Sequence, residues 1–386
     1  MSVVSIARCS EYSDRELDAA LLRVFDKLGG VEKYVKPGMK VVLKPNLVVG
    51  RKPEDAATTH PRFVGAVARL LKKYGASVIL AESPGGLYLP RMLKSIYNRC
   101  GMTEMAEKEG VTLNFDIGEA EVDNPDGELL KRLSIIRPVA EADLVINLPK
   151  LKSHGQMVYT GAVKNMFGVI AGEQKALYHF NMSDYTNFAN ALIDIFLSVK
   201  PGLSIMDAVI GMDGAGPSSG DPFKTGLVIG SENAFELDYT ALKIIGADPM
   251  KVPVIRQAVK RGLCPDDISR IEVKGERLED VRVENFKIPA IHNMRTILFY
   301  ENSFLKFFAG KFKSRPVFRK DICNGCQKCG KVCPAKVIGF KNNKPEVNLE
   351  KCIRCFCCQE LCPNKAILLK EPYIMKLLSK RRKILK

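Results

Sequence analysis

Eight of the twelve cysteines fall into two copies of one pattern near the C-terminus. The first is Cys323, Cys326, Cys329 and Cys333, followed by Pro334. The second is Cys352, Cys355, Cys358 and Cys362, followed by Pro363. Both read C-x2-C-x2-C-x3-C-P, and the second repeats the first 29 residues later. Thiolates at x2 spacing can turn three side chains into one concavity, and a cubane [4Fe–4S] cluster takes its fourth thiolate from elsewhere. In paired runs of this kind the fourth cysteine serves the other cluster. The expected sets are Cys323, Cys326 and Cys329 with Cys362, and Cys352, Cys355 and Cys358 with Cys333. The chemistry implied is electron transfer through two [4Fe–4S] clusters. Zinc sites use similar C-x2-C pairs, but two full runs with trailing prolines fit zinc poorly. Disulfides do not suit a chain read as intracellular. Cys357 interrupts the pattern and reads as a spare buried thiol rather than an alternative ligand. Cys9, Cys100 and Cys264 lack partners at metal spacing and read as ordinary core or surface thiols.

The repeat continues past the prolines, with PAKVIGF set against PNKAILL. Over residues 316–370 the segment resembles the bacterial two-cluster ferredoxins. That leaves most of a 386-residue chain for something larger, and the length predicts two or three domains. A hydrophobic content of 46% is enough for a packed core. No basic stretch followed by an apolar run opens the chain. No apolar run approaches the ~20 residues that a membrane-spanning helix needs. A cytoplasmic protein is the expectation. The net charge of +16 admits nucleic acid as a partner, but no nucleic-acid module is readable. An acidic redox partner protein and an anionic small molecule are the preferred partners. The tail KLLSKRRKILK, within residues 371–386, carries six basic residues among leucines and isoleucine. It reads as a solvated tail, with contact to anionic lipid as the alternative.

Strand-like and helix-like segments alternate over residues 1–290, which predicts a large, mostly parallel α/β domain ahead of a small α+β ferredoxin-like one. VVSIA, KVVLKPNLVV, SVILAESPGG, TLNFD, DLVINLPKLK, LSIMDAVIG and TGLVIG read as strands. Helices are expected over residues 14–28, after Pro61, over LPRMLKSIYNRCG, over 185–199 and over ENAFELDYTALKIIG. Polar, glycine-rich loops follow several strands: Lys44–Asn46, Glu82–Gly86, Pro149–Gly155 and Met212–Pro222. In open α/β sheets ligands bind at those strand ends, so these loops are expected to converge on one site.

The stretch from Leu148 to His179 is the densest in chemically useful groups, holding Lys150, Lys152, His154, Lys164, Asn165, Lys175 and His179. Histidine and lysine together can bind an anion, move protons or ligate metal. Gly155, Gly161, Gly168 and Gly172 are expected to let backbone approach a ligand. The plainer reading is that each residue is structural or solvated; the cluster as a whole favours a ligand site. His154, Lys164 and His179 are the candidate catalytic residues. Lys44, Asn46, Lys152, Asn165 and Asp213 are the candidate ligand-binding residues for an unidentified second cofactor or substrate. The motifs LKPNLV, TTHP, ESPGG, NLPKLKSHG, TGAVKNMFG and DGAGPSSGDP resemble the DUF362 family over roughly residues 40–230. The resemblance implies architecture more than reaction. A fainter likeness is to the nickel-pincer lactate racemases, for which only His154, Lys164 and His179 correspond; the racemase phosphate-binding run is not evident.

The run Gly214 to Gly220 lacks G-x-G-x-x-G spacing, and Pro217 argues against a helix opening there, so no dinucleotide site is read from it. Residues 291–315 place Tyr300, Phe304, Phe307, Phe308 and Phe312 at helical spacing, which predicts an amphipathic linker helix. Three functions remain open: a ferredoxin-type oxidoreductase, a non-catalytic electron carrier, and a ligand-binding sensor or maturation protein.

Overall fold

The computed structural model describes residues 2–172, 174–182, 184–289 and 314–370. The expected linker helix, up to residue 313, and the basic tail lie outside the described residues. In chain order the strands are β1 Val3–Arg8, β2 Lys40–Pro45, β3 Ser77–Leu80, β4 Thr112–Leu113, β5 Glu119–Asp123, β6 Arg132–Ile136, β7 Leu144–Leu148 and β8 Lys150–His154. They continue with β9 Val158–Thr160, β10 Leu203–Asp213, β11 Asp221–Ser231, β12 Glu272–Gly275, β13 Arg315–Phe318, β14 Ile338–Lys341, β15 Lys344–Val347 and β16 Ile367–Lys370.

The central sheet has the order β12-β1-β11-β10-β7-β2-β3-β4, with β8 and β9 attached to β10. Pairing is parallel from β10 through β7, β2 and β3 to β4. It is antiparallel where β11 joins β10 and β1. The sheet is thus mostly parallel, as its strand sequences predict: VVL in β2 and LVI in β7 are continuous apolar runs, as in strands covered on both faces. Those helices start where local chemistry provides a cap. Ser13 accepts the Glu16 N–H ahead of Asp14–Lys27, whose Leu17, Leu21, Val24 and Phe25 enter the core. The His60 ring accepts the Arg62 N–H, with Pro61 in the first turn of Pro61–Lys73. Asp184 caps Tyr185–Val199.

Three details depart from the sequence reading. TLNFD contributes only the two residues of β4. DLVINLPKLK is two strands, divided at Pro149, which has no N–H for the ladder. The stretch after Gly172 forms a helix, Gln174–Asn181, that had no separate assignment. The glycine-rich run 214–220 connects the β10–β11 hairpin, in keeping with the absence of a dinucleotide loop.

Beneath β10, Asp207 accepts hydrogen bonds from Lys150 Nζ (2.8 Å), Tyr12 Oη (2.8 Å) and the His60 N–H (2.9 Å). Tyr12 stacks on the His60 ring at 3.7 Å. Burial pushes the Lys150 ammonium below its ordinary pKa, and the Asp207 charge opposes that shift. Asp207→Ala leaves a buried ammonium without its counter-charge and is expected to cost about 3–5 kcal/mol, read from urea unfolding.

The C-terminal module pairs β13 with β16 and β14 with β15. Its second half docks on the large domain. Arg51 donates to the carbonyls of Pro363 (2.7 Å) and Cys362 (2.6 Å), and Ser218 donates to the Glu360 carbonyl (2.7 Å). Gln359 Nε2 donates to the Ala215 carbonyl (3.1 Å), and Lys365 pairs with Asp55 (3.1 Å). A hydrogen bond from a charged group contributes about 1.5–3 kcal/mol. Arg51→Ala is therefore expected to speed amide exchange over residues 356–366 by about ten- to a hundredfold, at unchanged exchange in β2 and β7.

Candidate functional site

Two small hollows in the C-terminal module are each lined by four cysteines. Cys323, Cys326, Cys329 and Cys362 line one; Cys333, Cys352, Cys355 and Cys358 line the other. The fourth cysteine of each run therefore stands with the other run's first three. Among the described residues no three metal-ligating side chains converge on a single point. Backbone N–H groups already address the sulfurs, from Gly325 to Cys323 Sγ (3.4 Å) and from Ala366 to Cys362 Sγ (3.3 Å). The repeat also recurs in the backbone. Left-handed φ occurs at Gly325, Gln327 and Lys336, and again 29 residues later at Arg354, Phe356 and Lys365. Strained conformations at matched positions turn each loop around its hollow. Cys326 is exposed, whereas Cys355 and Cys358 are buried.

A third cavity, of about 690 Å³, lies between the module and the large domain. Its floor comes from the carboxyl ends of β2 and β3, through Asn46 and the Glu82–Gly86 loop. Lys164, Asn165, Lys175 and His179 line it from the large domain. Cys357, Glu360 and Leu361 line it from the other side. Cys357 thus faces this cavity and is absent from the cysteine-lined hollows.

Lys164 is positioned by the start of its helix, Ala162–Asn165. Asp238 accepts the N–H groups of Ala162 (2.7 Å) and Val163 (3.0 Å). A Cβ on Gly161 would stand 2.0 Å from that carboxylate. Burial pushes the Asp238 carboxyl up to about 7 against these hydrogen bonds. Burial also lowers the pKa of Lys164, opposed by Glu360. Its ammonium lies 5.7 Å from the centre of the Phe167 ring, with no hydrogen-bond partner among the described residues. His179 packs beside Phe188 at 4.5 Å. Burial pushes its pKa down to about 4, and its Nδ1 has no hydrogen-bond partner. The hydroxyls of Ser83 and Thr160, also on the cavity wall, are buried and unpartnered as well. Burial lowers Lys175 to about 7; it donates to the carbonyl of Ser83.

The other expected site residues stand elsewhere. His154 is one layer behind the wall. Its Nδ1 accepts the N–H groups of Gln156 (3.0 Å) and Met157 (3.2 Å), so the ring proton sits on Nε2, 3.2 Å from Glu360 Oε1. Burial lowers His154 to about 4. Burial opposes ionisation of Glu360, but the field of His154 and Lys164 outweighs it and holds the carboxyl near 2. Lys44 and Lys152 do not line the cavity. Lys152 Nζ donates to Asn46 Oδ1 (2.7 Å) and to the carbonyls of Ala57 (2.7 Å) and Pro217 (3.2 Å). Lys44 Nζ pairs with Glu82 and donates to the Pro45 carbonyl (2.8 Å) and to Asn165 Oδ1 (3.3 Å). Their N–H groups are used within the protein. Asn165 and Asn46 reach the wall while bonded to each other (2.8 Å). Asp213 is remote; its carboxylate accepts the Lys287 N–H (3.1 Å).

The glycines also need correcting. A Cβ on Gly155 would meet Leu369 at 2.5 Å, and one on Gly168 would meet Glu82 at 2.1 Å. A Cβ on Gly172 would meet the Gly86 carbonyl oxygen at 2.2 Å. Gly155 makes room for protein atoms alone, whereas Gly168 and Gly172 also stand on the cavity wall. Sequence reasoning missed Glu360 and Thr160, and reached Ser83 only as part of the Glu82–Gly86 loop. The doubled cysteine at 357–358 was the one signal that this helix does more than hold a cluster.

Comparison with known proteins agrees with this architecture. The family described as a domain of unknown function (DUF362) matches residues 41–243, and a 4Fe-4S dicluster domain matches residues 315–363. The thylakoid-associated protein sll1697 of Synechocystis sp. is 31% identical over 290 residues, covering 75% of this chain and 88% of that protein. Among solved structures, the lactate racemase apoprotein of Thermoanaerobacterium thermosaccharolyticum aligns with TM-score 0.35 and 14% identity, over 61% of this chain and 55% of that one. A protein from Thermotoga maritima aligns with TM-score 0.36 and 12% identity, over 59% and 57%. Both structural matches span little more than half of the racemase and Thermotoga chains. The C-terminal module is a ferredoxin-like 4Fe–4S domain with the capacity to carry electrons. With more than half of its length matched by the family and a relative aligned across three quarters of it, the chain belongs to the DUF362 family.

Proposed function

We propose that this protein holds two [4Fe–4S] clusters and passes electrons to or from an anionic ligand bound in the interdomain cavity. The observation that carries this reading is adjacency. One short helix, Cys357–Glu360, brings Cys358 to the inner cysteine-lined hollow and brings Cys357 and Glu360 to the cavity wall. Clusters bound by the two cysteine sets supply one-electron transfer. The outer set, with exposed Cys326, is the side a partner protein approaches. Exposed Lys320 and Lys328 there suit an acidic partner.

In the cavity, Lys164 offers its charge to the ligand. Neutral His179 offers Nδ1, and its unshared position beside a ligand suits proton transfer. His154 does not line the cavity; its Nε2 stands 3.2 Å from Glu360 Oε1, close enough to influence where that carboxylate sits, which makes it a positioning residue. The unpartnered hydroxyls of Ser83 and Thr160 favour a ligand site over a carrier that merely docks partners, because a buried polar group without a partner costs about 1–3 kcal/mol.

Native mass spectra of the anaerobically purified chain test the proposal. The expected result is a mass increment of two cubanes together with a bound small molecule. Lys164→Met with His179→Gln should release the small molecule and keep both cubanes. Cys357→Ser should also keep both cubanes, whereas Cys355→Ser should lose one. A chain that reconstitutes with only one cubane, or with none, would rule out the two-cluster reading.

A further inference from the structure

The cavity combines buried polar groups with exposed apolar side chains, and this combination defines a ligand class. Lys164 and the buried, unpartnered groups of His179, Ser83 and Thr160 line it together with the ring of Phe167, which Lys164 overlies. Val332 and Leu361 add apolar wall. Nine large hydrophobic side chains are exposed among the described residues, and three of them line this one cavity: Leu87 at 52%, Leu177 at 60% and Phe180 at 49%. Leu177 and Phe180 are three residues apart on the helix Gln174–Asn181, so they share its outward side. The same helix turns His179 inward, where it is 4% exposed. A single helix therefore supplies both buried polar and exposed apolar lining to the cavity.

Charge and size complete the argument. Four lysines line the cavity: Lys164, Lys175, and exposed Lys331 and Lys336. Of its two carboxylates, Glu82 is already paired with Lys44, and Glu360 leaves one negative charge, beside neutral His154, against the four lysines. The surplus is positive. A volume of about 690 Å³ is in the range that encloses a drug-sized molecule and far exceeds an acetate-sized anion.

We propose, on the reading that this cavity is the ligand site, that its ligand is amphipathic: an acidic head held at Lys164 and His179, and an apolar body that runs past Phe167 and Leu361 to Leu87, Leu177 and Phe180. A carboxylate and a phosphate monoester share this chemistry. Lys164 is a single cation above an aromatic ring, and it accepts either head.

Equilibrium titration of the full-length, cluster-loaded protein, held under nitrogen at one oxidation state, tests the class. The probes are decanoate, decyl phosphate, butyrate and decanol, each below its micellar concentration. Decanoate or decyl phosphate should bind at least about a hundredfold more tightly than butyrate, because each buried methylene adds to affinity. Each should bind at least about tenfold more tightly than decanol, the loss expected for one charged contact. Lys164→Met should remove the preference over decanol, and Lys164→Arg should restore it. Leu177→Asn with Phe180→Asn should bring decanoate towards butyrate. The ratio of decanoate to decyl phosphate separates the two heads. Equal binding of butyrate and decanoate would mean a small polar anion and overturn the proposal. Equal binding of decanol and decanoate would mean a neutral apolar ligand and do the same. Decanoate binding unaffected by any of these variants would mean surface adsorption only, and would also overturn it. The redox reading fails separately: an amphipathic acid that binds as expected but leaves the rate of cluster reoxidation unchanged would sink that reading and spare this one.

Discussion

Burying two lysine ammonium groups next to each other is costly unless every N–H finds an acceptor. The large domain meets that constraint with one connected set. Lys44 pairs with Glu82, Lys152 bonds Asn46, and Asn165 receives hydrogen bonds from both Lys44 and Asn46. Asn165 in turn donates to Asn147 on β7 (2.7 Å). The set ties the ends of β2, β7 and β8 to the loop after β3 and to the helix Ala162–Asn165. The residue before Asn165 is Lys164, so the network that satisfies buried charge also fixes the cation that faces the cavity. Burial pushes Lys44 down and Glu82 up, and their mutual contact opposes both shifts.

The cavity itself belongs to neither domain alone. Its second wall comes from the helix Cys357–Glu360, held in place by Arg51, Ser218 and the packing of Leu361 against the glycine loop. A Cβ on Gly85 would stand 2.7 Å from Leu361. The small residues of the β2 and β3 exit loops therefore admit the redox module. The one helix Cys357–Glu360 places Cys358 on a cysteine-lined hollow and Cys357 and Glu360 on the cavity wall.

Much of the fold was legible in the chain. Alternating apolar runs and amphipathic segments indicated a parallel sheet, since strands covered on both faces must be apolar throughout. The helix starts at Ser13, His60 and Asp184 are encoded by local capping chemistry. The short β4 and the break at Pro149 were harder to read, because pairing partners and a missing N–H decide where a ladder ends. Of the site, Lys164 and His179 were found from residue type and spacing. Lys44 and Lys152 looked alike in sequence, but whether a lysine faces a ligand or a ring of carbonyls depends on what the fold packs around its tip.

By itself, the sequence determined the family, the parallel α/β class and the two four-cysteine runs, because these rest on local periodicity and short-range spacing. Tertiary structure alone decided that Cys357 turns away from both hollows and that Glu360 meets His154 across more than 200 positions of chain. Such contacts arise from the docking of two separately patterned modules, and no local signal records where two surfaces will meet.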